Sequence, residues 1–138
     1  MTLSLIDLNW LSIVCAALAY SFFSGMWHRP FAFGKLWDKA MGFERAKDWK
    51  ESPVYFIVPF IGCIITTIAL AVLSHVLDID SLQEALLLGL TAGLGIATAV
   101  TFTNAIIPIM KHPLIFGAIT GSAHLLGCML AAVVLYLL

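Results

Sequence analysis

Four long apolar runs, separated by short polar segments, dominate the chain. No Asp, Glu, Lys or Arg lies between Leu8 and Trp27, between Ser52 and Leu77, between Ala85 and Met110, or from Pro113 to Leu138. Each run reaches the ~20 residues that cross a ~30 Å hydrocarbon layer at about 1.5 Å of helix rise per residue. The pattern predicts an all-α, polytopic membrane protein with four transmembrane helices, at about 8–27, 53–77, 82–109 and 113–137, in a single domain spanning 1–138.

A fifth pattern sits in the connection after the first run. Phe33, Leu36, Trp37, Ala40 and Met41 recur at helical spacing on one face, Lys35, Asp38 and Lys39 take the other, and Gly42 follows as a C-terminal cap. This predicts a short amphipathic helix over about 31–41, lying in the head-group plane of the first cytoplasmic loop. Local signals mark the other boundaries. Ser52-Pro53 reads as a cap followed by proline at a helix start. Asp80-Ser81-Leu82-Gln83-Glu84 reads as a capping box opening the third run. Lys111 and Pro113 separate the third and fourth. Pro59 is expected to kink the second helix by removing the bond to the Tyr55 carbonyl, which a neighbouring Ser or Thr would then satisfy.

Charge placement gives the orientation. All seven Lys and Arg (Arg29, Lys35, Lys39, Arg45, Lys47, Lys50 and Lys111) fall after the first or the third run, whereas the opposite side receives Asp7, Asp78, Asp80 and Glu84. Short basic loops stay in the cytoplasm. Both termini and the 78–81 turn are therefore expected outside a plasma (bacterial inner) membrane. The first run is preceded by Asp7 and followed by Trp27-His28-Arg29-Pro30, a poor cleavage site, so it is read as a helix rather than a signal peptide.

Composition agrees: 62% hydrophobic side chains and 11% charged ones leave too little charged surface for a soluble domain. No nucleic-acid partner is indicated. Cys15, Cys63 and Cys128 all lie within the apolar runs without the spacing of a zinc site or disulfide framework, and read as small buried hydrophobes. Between helices in lipid, small residues and buried polar groups supply the adhesion. Gly89 and Gly93, continued by Ala97, and Gly117 with Gly121 at the same spacing are expected to form the contact between the third and fourth helices.

At Asn9-Trp10, Gly25-Met26-Trp27-His28-Arg29-Pro30, Phe33-Gly34-Lys35-Leu36-Trp37 and Met41-Gly42, and again at Gly89, Gly93, Thr103 and Asn104, the sequence resembles a family of small prokaryotic and fungal membrane proteins known as domain of unknown function 1761. The resemblance covers nearly the whole chain and implies a fold but no activity. One departure is His28, where that family more usually has Tyr.

Candidate chemistry is sparse. No nucleophile motif, phosphate loop, carboxylate pair or metal-ligand spacing occurs, so an enzyme is not expected. A mid-membrane charge of the kind ion-coupled transporters keep is also absent. His124 falls near the middle of the fourth helix, roughly 16 Å deep; Thr98, Thr101 and Cys63 lie at a similar depth, and Tyr20, Ser21, Asn104 and Thr120 lie within about one turn of that level. Together they are expected to form a neutral polar seam, chiefly on helices three and four. His75 lies roughly 15 Å from His124 along the membrane normal, so no haem joins them within one copy and no cofactor or metal is expected. His28, Arg29, Lys111 and His112 share the cytoplasmic level and suit an anionic lipid head group. The functions that follow are a homo-oligomeric transport or channel protein or, alternatively, an accessory subunit docking a larger membrane protein or lipid. A haem- or metal-binding protein stands third.

Overall fold

The computed structural model describes residues 8–138. Four of its helices are long and apolar enough to cross a membrane. They are α1 (Trp10–Trp27), α3 (Val54–Val76), the composite third span Leu82–Ala105, and α6 (Pro113–Leu137); the short helix α2 (Gly34–Met41) joins the first two. Within the third span, α4 (Leu82–Leu90) and α5 (Ala99–Ala105) flank a π-helical segment, Thr91–Thr98.

The ends of the helices follow from local chemistry. Asn9 caps α1, its Oδ1 accepting from the Ser12 N–H at 3.2 Å, so the helix begins at Trp10. The Asn9 amide also donates to the Leu138 carbonyl at 2.9 Å, tying α1 to the end of α6. Ser81 Oγ accepts from the Glu84 N–H, while the Glu84 carboxylate reaches back one residue further than a standard capping box, to the Asp80 N–H at 3.1 Å. Gly42 closes α2 in the left-handed conformation at φ 75°. Ser52 offers no side-chain cap, and α3 starts at Val54 with Pro53 before it. The third span stops at Ala105, short of the expected 109. Pro108 is the reason, because proline drives its predecessor out of the α region. The hydrogen bonds of the described side chains include none to the Tyr55 carbonyl, so no neighbouring hydroxyl satisfies it as expected. Asp7 and the N-terminus lie outside the described residues.

α6 is the central helix and packs on α1, α2, α3 and all three parts of the third span. Its sequence allows this, since Gly117, Gly121, Ala123, Gly127, Cys128, Ala131 and Ala132 are buried around several faces. The peripheral helices instead bury single stripes: Ser12, Ile13, Ala16, Ala17 and Tyr20 on α1, and Cys63, Thr67, Leu70 and Ala71 on α3. The third span packs chiefly on α6, with α4 also touching α3.

The glycines set how closely the third span approaches. A Cβ on Gly89 would stand 2.5 Å from Met129 Cα, and one on Gly93 would stand 2.8 Å from Leu125 Cα. Gly117 lies against the Phe102 ring and Gly121 against Thr98. The two glycine pairs therefore do not face each other; each receives residues of the opposite helix. The π-helical segment changes the register between them. Its wider turn takes up an extra residue, so the face carrying Gly89 and Gly93 continues at Thr98 and Phe102, not at Ala97.

Candidate functional site

The residues expected to form one seam separate into two groups. Thr98 donates to the Gly121 carbonyl at 2.9 Å, bonding the third span to α6. Thr101 donates to its own helix at Ala97 O, 2.7 Å, and Asn104 is exposed on the outside of the bundle. These groups fix or decorate the third span. Tyr20, Thr120 and His124 come together instead on the adjoining face of α6, where it meets α1 and α2.

There Tyr20 is 2% exposed and shares a 2.7 Å hydrogen bond with His124 Nδ1. The Cys128 thiol lies 4.0 Å from the same phenol oxygen. Gly127 makes room for the Tyr20 ring, since a Cβ there would overlap it. One turn towards the basic end, Thr120 accepts from Trp37 Nε1 at 3.0 Å, and Trp27 Nε1 donates to the neighbouring Ile119 carbonyl at 3.0 Å. The Trp37 ring lies between His28, 5.3 Å away edge-on, and Phe116, 5.9 Å away and stacked. His28 Nδ1 donates to Ser24 O at 2.9 Å.

The short helix α2 is thus pinned to the bundle as well as being amphipathic. Gly34 lies directly against the His28 carbonyl and Arg29 backbone, and the His112 N–H donates to Ala40 O at 2.8 Å. Its apolar face is divided: Ala40 is buried, while Phe33 and Leu36 stay exposed. Those two line a groove of about 400 Å³ with Leu114, Ile115, Ala118, Ile119 and Ser122 of α6. Replacing Trp37 by Phe removes the bond to Thr120 but keeps the ring. A loss of about 1 kcal/mol is expected, read as a lower thermal midpoint in mild detergent, and in a Thr120→Val background, where the bond is already absent, Trp37→Phe should cost almost nothing; equal losses in the two backgrounds would show that the bond does not hold α2.

The four basic residues matched to a lipid head group are spread along α2. His28 and Arg29 adjoin its start at Gly34, whereas Lys111 abuts Gly42 and His112 bonds Ala40 at its end. Eight residues of helix separate the pairs by about 12 Å. Arg29 is also engaged by Glu51 at 3.5 Å and by the Phe56 ring. Next to it, Arg45 bridges Asp38 at 2.6 Å and Glu51 at 3.2 Å and covers Trp49. The hydrogen bond to Asp38 raises the Arg45 pKa further above its already high value.

Beyond these residues, the α1–α3–α6 interface holds a line that helical periodicity does not reveal. Thr67 has a buried hydroxyl without a hydrogen-bond partner among the described residues and is wholly inaccessible, while the buried Ser21 hydroxyl adjoins the Cys63 thiol. Cys63, Tyr20, Cys128, Leu70, Ala16 and Ala131 form one buried cluster. Towards the acidic end, Leu8, Ile13 and Ala71 make a second apolar layer. Above it opens a hollow of about 330 Å³ lined by Asn9, Ser12, Ser74, His75 and Asp78. From end to end the interface reads as polar hollow, apolar layer, Thr67, the Ser21–Cys63–Tyr20 level, His124, Thr120 and Trp37. Among the described residues no group of three His, Cys, Asp or Glu is placed to hold a metal ion.

A family model described as "Protein of unknown function (DUF1761)" matches residues 11–136, and the chain belongs to that family. No curated protein and no solved structure matches the chain. Several residues that carry the family resemblance lie around one joint: Trp27 packs on Phe33 ahead of α2, Gly34 and Trp37 dock α2 on the bundle, Gly42 caps it, and Asn9 ties α1 to α6.

Proposed function

We propose that this member of the family is a transport-type protein of the plasma (bacterial inner) membrane, which passes a small polar solute through the α1–α3–α6 interface of a single copy. The basic end faces the cytoplasm and the acidic hollow faces outside, because short basic loops are retained on the inner side. A homo-oligomer is not required for this route, which differs from a seam on helices three and four.

The observation that carries the proposal is the unpartnered, wholly buried hydroxyl of Thr67. A helical Ser or Thr ordinarily bonds the carbonyl one turn back, as Thr101, Thr103 and Ser122 do here. An unpaired buried hydroxyl costs about 1–3 kcal/mol. Lying between the hollow and the Tyr20–His124 pair, Thr67 supplies a bonding position that a solute can use in passing, with Ser21 next to it at the Tyr20 level. The apolar layer of Leu8, Ile13 and Ala71 closes the route in this state.

Stability and transport should therefore separate. Thr67→Val removes a hydroxyl that bonds nothing, so the fold is expected to be as stable as the parent or more so, by up to about 1–3 kcal/mol. Uptake of urea, glycerol or methylamine by proteoliposomes, faster than by empty vesicles in the parent, is expected to fall towards the empty-vesicle rate in Thr67→Val. The proposal fails if none of the three crosses faster than through protein-free vesicles.

A second role is favoured by one separate feature. Every residue of α3 from Val54 to Gly62 is exposed, nine of its 23, with the loop residues Arg29 and Trp49 against Phe56 and Tyr55. A larger membrane protein docked there would make the chain an accessory subunit. Stable co-purification of such a partner, together with absent solute flux, would select this role over transport.

A further inference from the structure

The charges around the α1–α3–α6 line restrict what can follow it, and this step rests on the transport route proposed above. The hollow at the acidic end is lined by Asp78 and His75 and has no Lys or Arg among its lining residues. Asp80 and Glu84 at the same end add negative charge, and every Lys and Arg belongs to the opposite end. Such a field gathers cations and repels anions.

Below the hollow the requirement reverses. No Asp, Glu, Lys or Arg occurs anywhere in Trp10–Trp27, Val54–Val76 or Pro113–Leu137. A permanent cation carried to mid-depth would find no counter-charge, at a cost of about 3 kcal/mol or more. The groups it would meet are Thr67, Ser21, Tyr20 and His124, all suited to a neutral partner that both donates and accepts hydrogen bonds. A solute satisfying both halves is charged at the mouth and neutral in the interior.

We infer that the line conducts the free base of ammonia or a small primary amine, gathered as its ammonium ion at the Asp78 hollow. The ammonium ion leaves one proton with water on the outer side, the neutral amine crosses, and it takes one proton from water on the inner side. No net charge moves, and no further reactant is needed. The N–H groups of the amine bond the Thr67 and Ser21 oxygens, and its lone pair accepts from their hydroxyls.

The Asp78 backbone is in the left-handed region at φ 50°. Asn tolerates that conformation as Asp does, so Asp78→Asn removes charge without forcing the turn. The test uses the full chain in liposomes loaded with a pH-reporting dye, with methylammonium chloride added outside at fixed pH. Interior alkalinisation faster than in empty vesicles is expected, with tetramethylammonium excluded. Asp78→Asn is expected to lower the ratio of methylamine to urea flux several-fold. Urea or glycerol crossing while methylamine shows only the empty-vesicle rate would overturn the amine assignment and leave the transport route standing. Silence from all solutes would remove both. Equal passage of tetramethylammonium, or a flux ratio untouched by Asp78→Asn, would also overturn it.

Discussion

A Gly93→Leu protein is expected to lose the docking of its third span, while Gly95→Leu, two residues along the same π-helical segment, leaves the fold nearly unchanged. The difference lies in what stands opposite. A Cβ at Gly93 meets the Leu125 Cα at 2.8 Å and the Leu125 carbonyl oxygen at 2.9 Å, whereas one at Gly95 meets nothing within 4 Å. Backbone cannot turn aside as a side-chain tip can, so the two helices must separate. Overpacking typically costs about 1–3 kcal/mol, and the upper end is expected here because the third span has α6 as its chief partner. Separation also breaks the Thr98–Gly121 bond. Thermal unfolding in mild detergent would show the contrast, and disulfide formation between cysteines placed at 98 and 121 would report the separation directly. Equal stabilities for the two variants would contradict the packing described.

The contrast between Gly93 and Gly95 also marks how far the sequence could be read. Four uncharged runs fix four spans, because any carboxylate or ammonium at mid-depth is costly. Gly42, Ser81 and Glu84 declare helix ends through chemistry that acts within a few residues, and the Trp37 face of α2 is visible in its spacing. The α3 and α1 stripes are likewise helical in period. What spacing cannot encode is the neighbour each stripe meets. Thr98 replaces Ala97 on the packed face because a π turn intervenes, and nothing in Thr91-Ala92-Gly93-Leu94-Gly95 distinguishes that turn from α-helix beyond two glycines. α6 is buried on several sides, so its periodicity names no single partner. Depth along the helices therefore brings Tyr20, Ser21, Cys63 and His124 to one level but favours helices three and four for the seam, whereas His124 and Thr120 face α1 and α2, and Thr67 carries no signal of its own. Thr67 gains meaning only once α1, α3 and α6 are known to meet.

The same logic makes Gly127 the most informative position in the α1–α6 interface. A Cβ there would fall on the Cε2, Cδ2 and Cζ atoms of Tyr20, so Gly127→Ala is expected to drive the phenol out of its slot and away from His124. Tyr20 is almost completely enclosed and cannot swing into open space. A destabilisation of about 2–3 kcal/mol follows from overpacking, to which the lost hydrogen bond adds about 1 kcal/mol. In a Tyr20→Ala background the slot is already empty, and adding the methyl group at 127 should cost almost nothing. The two substitutions are therefore strongly non-additive, with a coupling near the upper end of the roughly 0.5–3 kcal/mol seen for residues in contact. Transport separates geometry from chemistry at the same position. Gly127→Ala retains both the phenol and the imidazole, so loss of solute flux in that protein, at a temperature where it remains folded, would mean that the route depends on where Tyr20 and His124 are held. Undiminished flux, or additive stabilities across the cycle, would remove the Tyr20–His124 pair from the route.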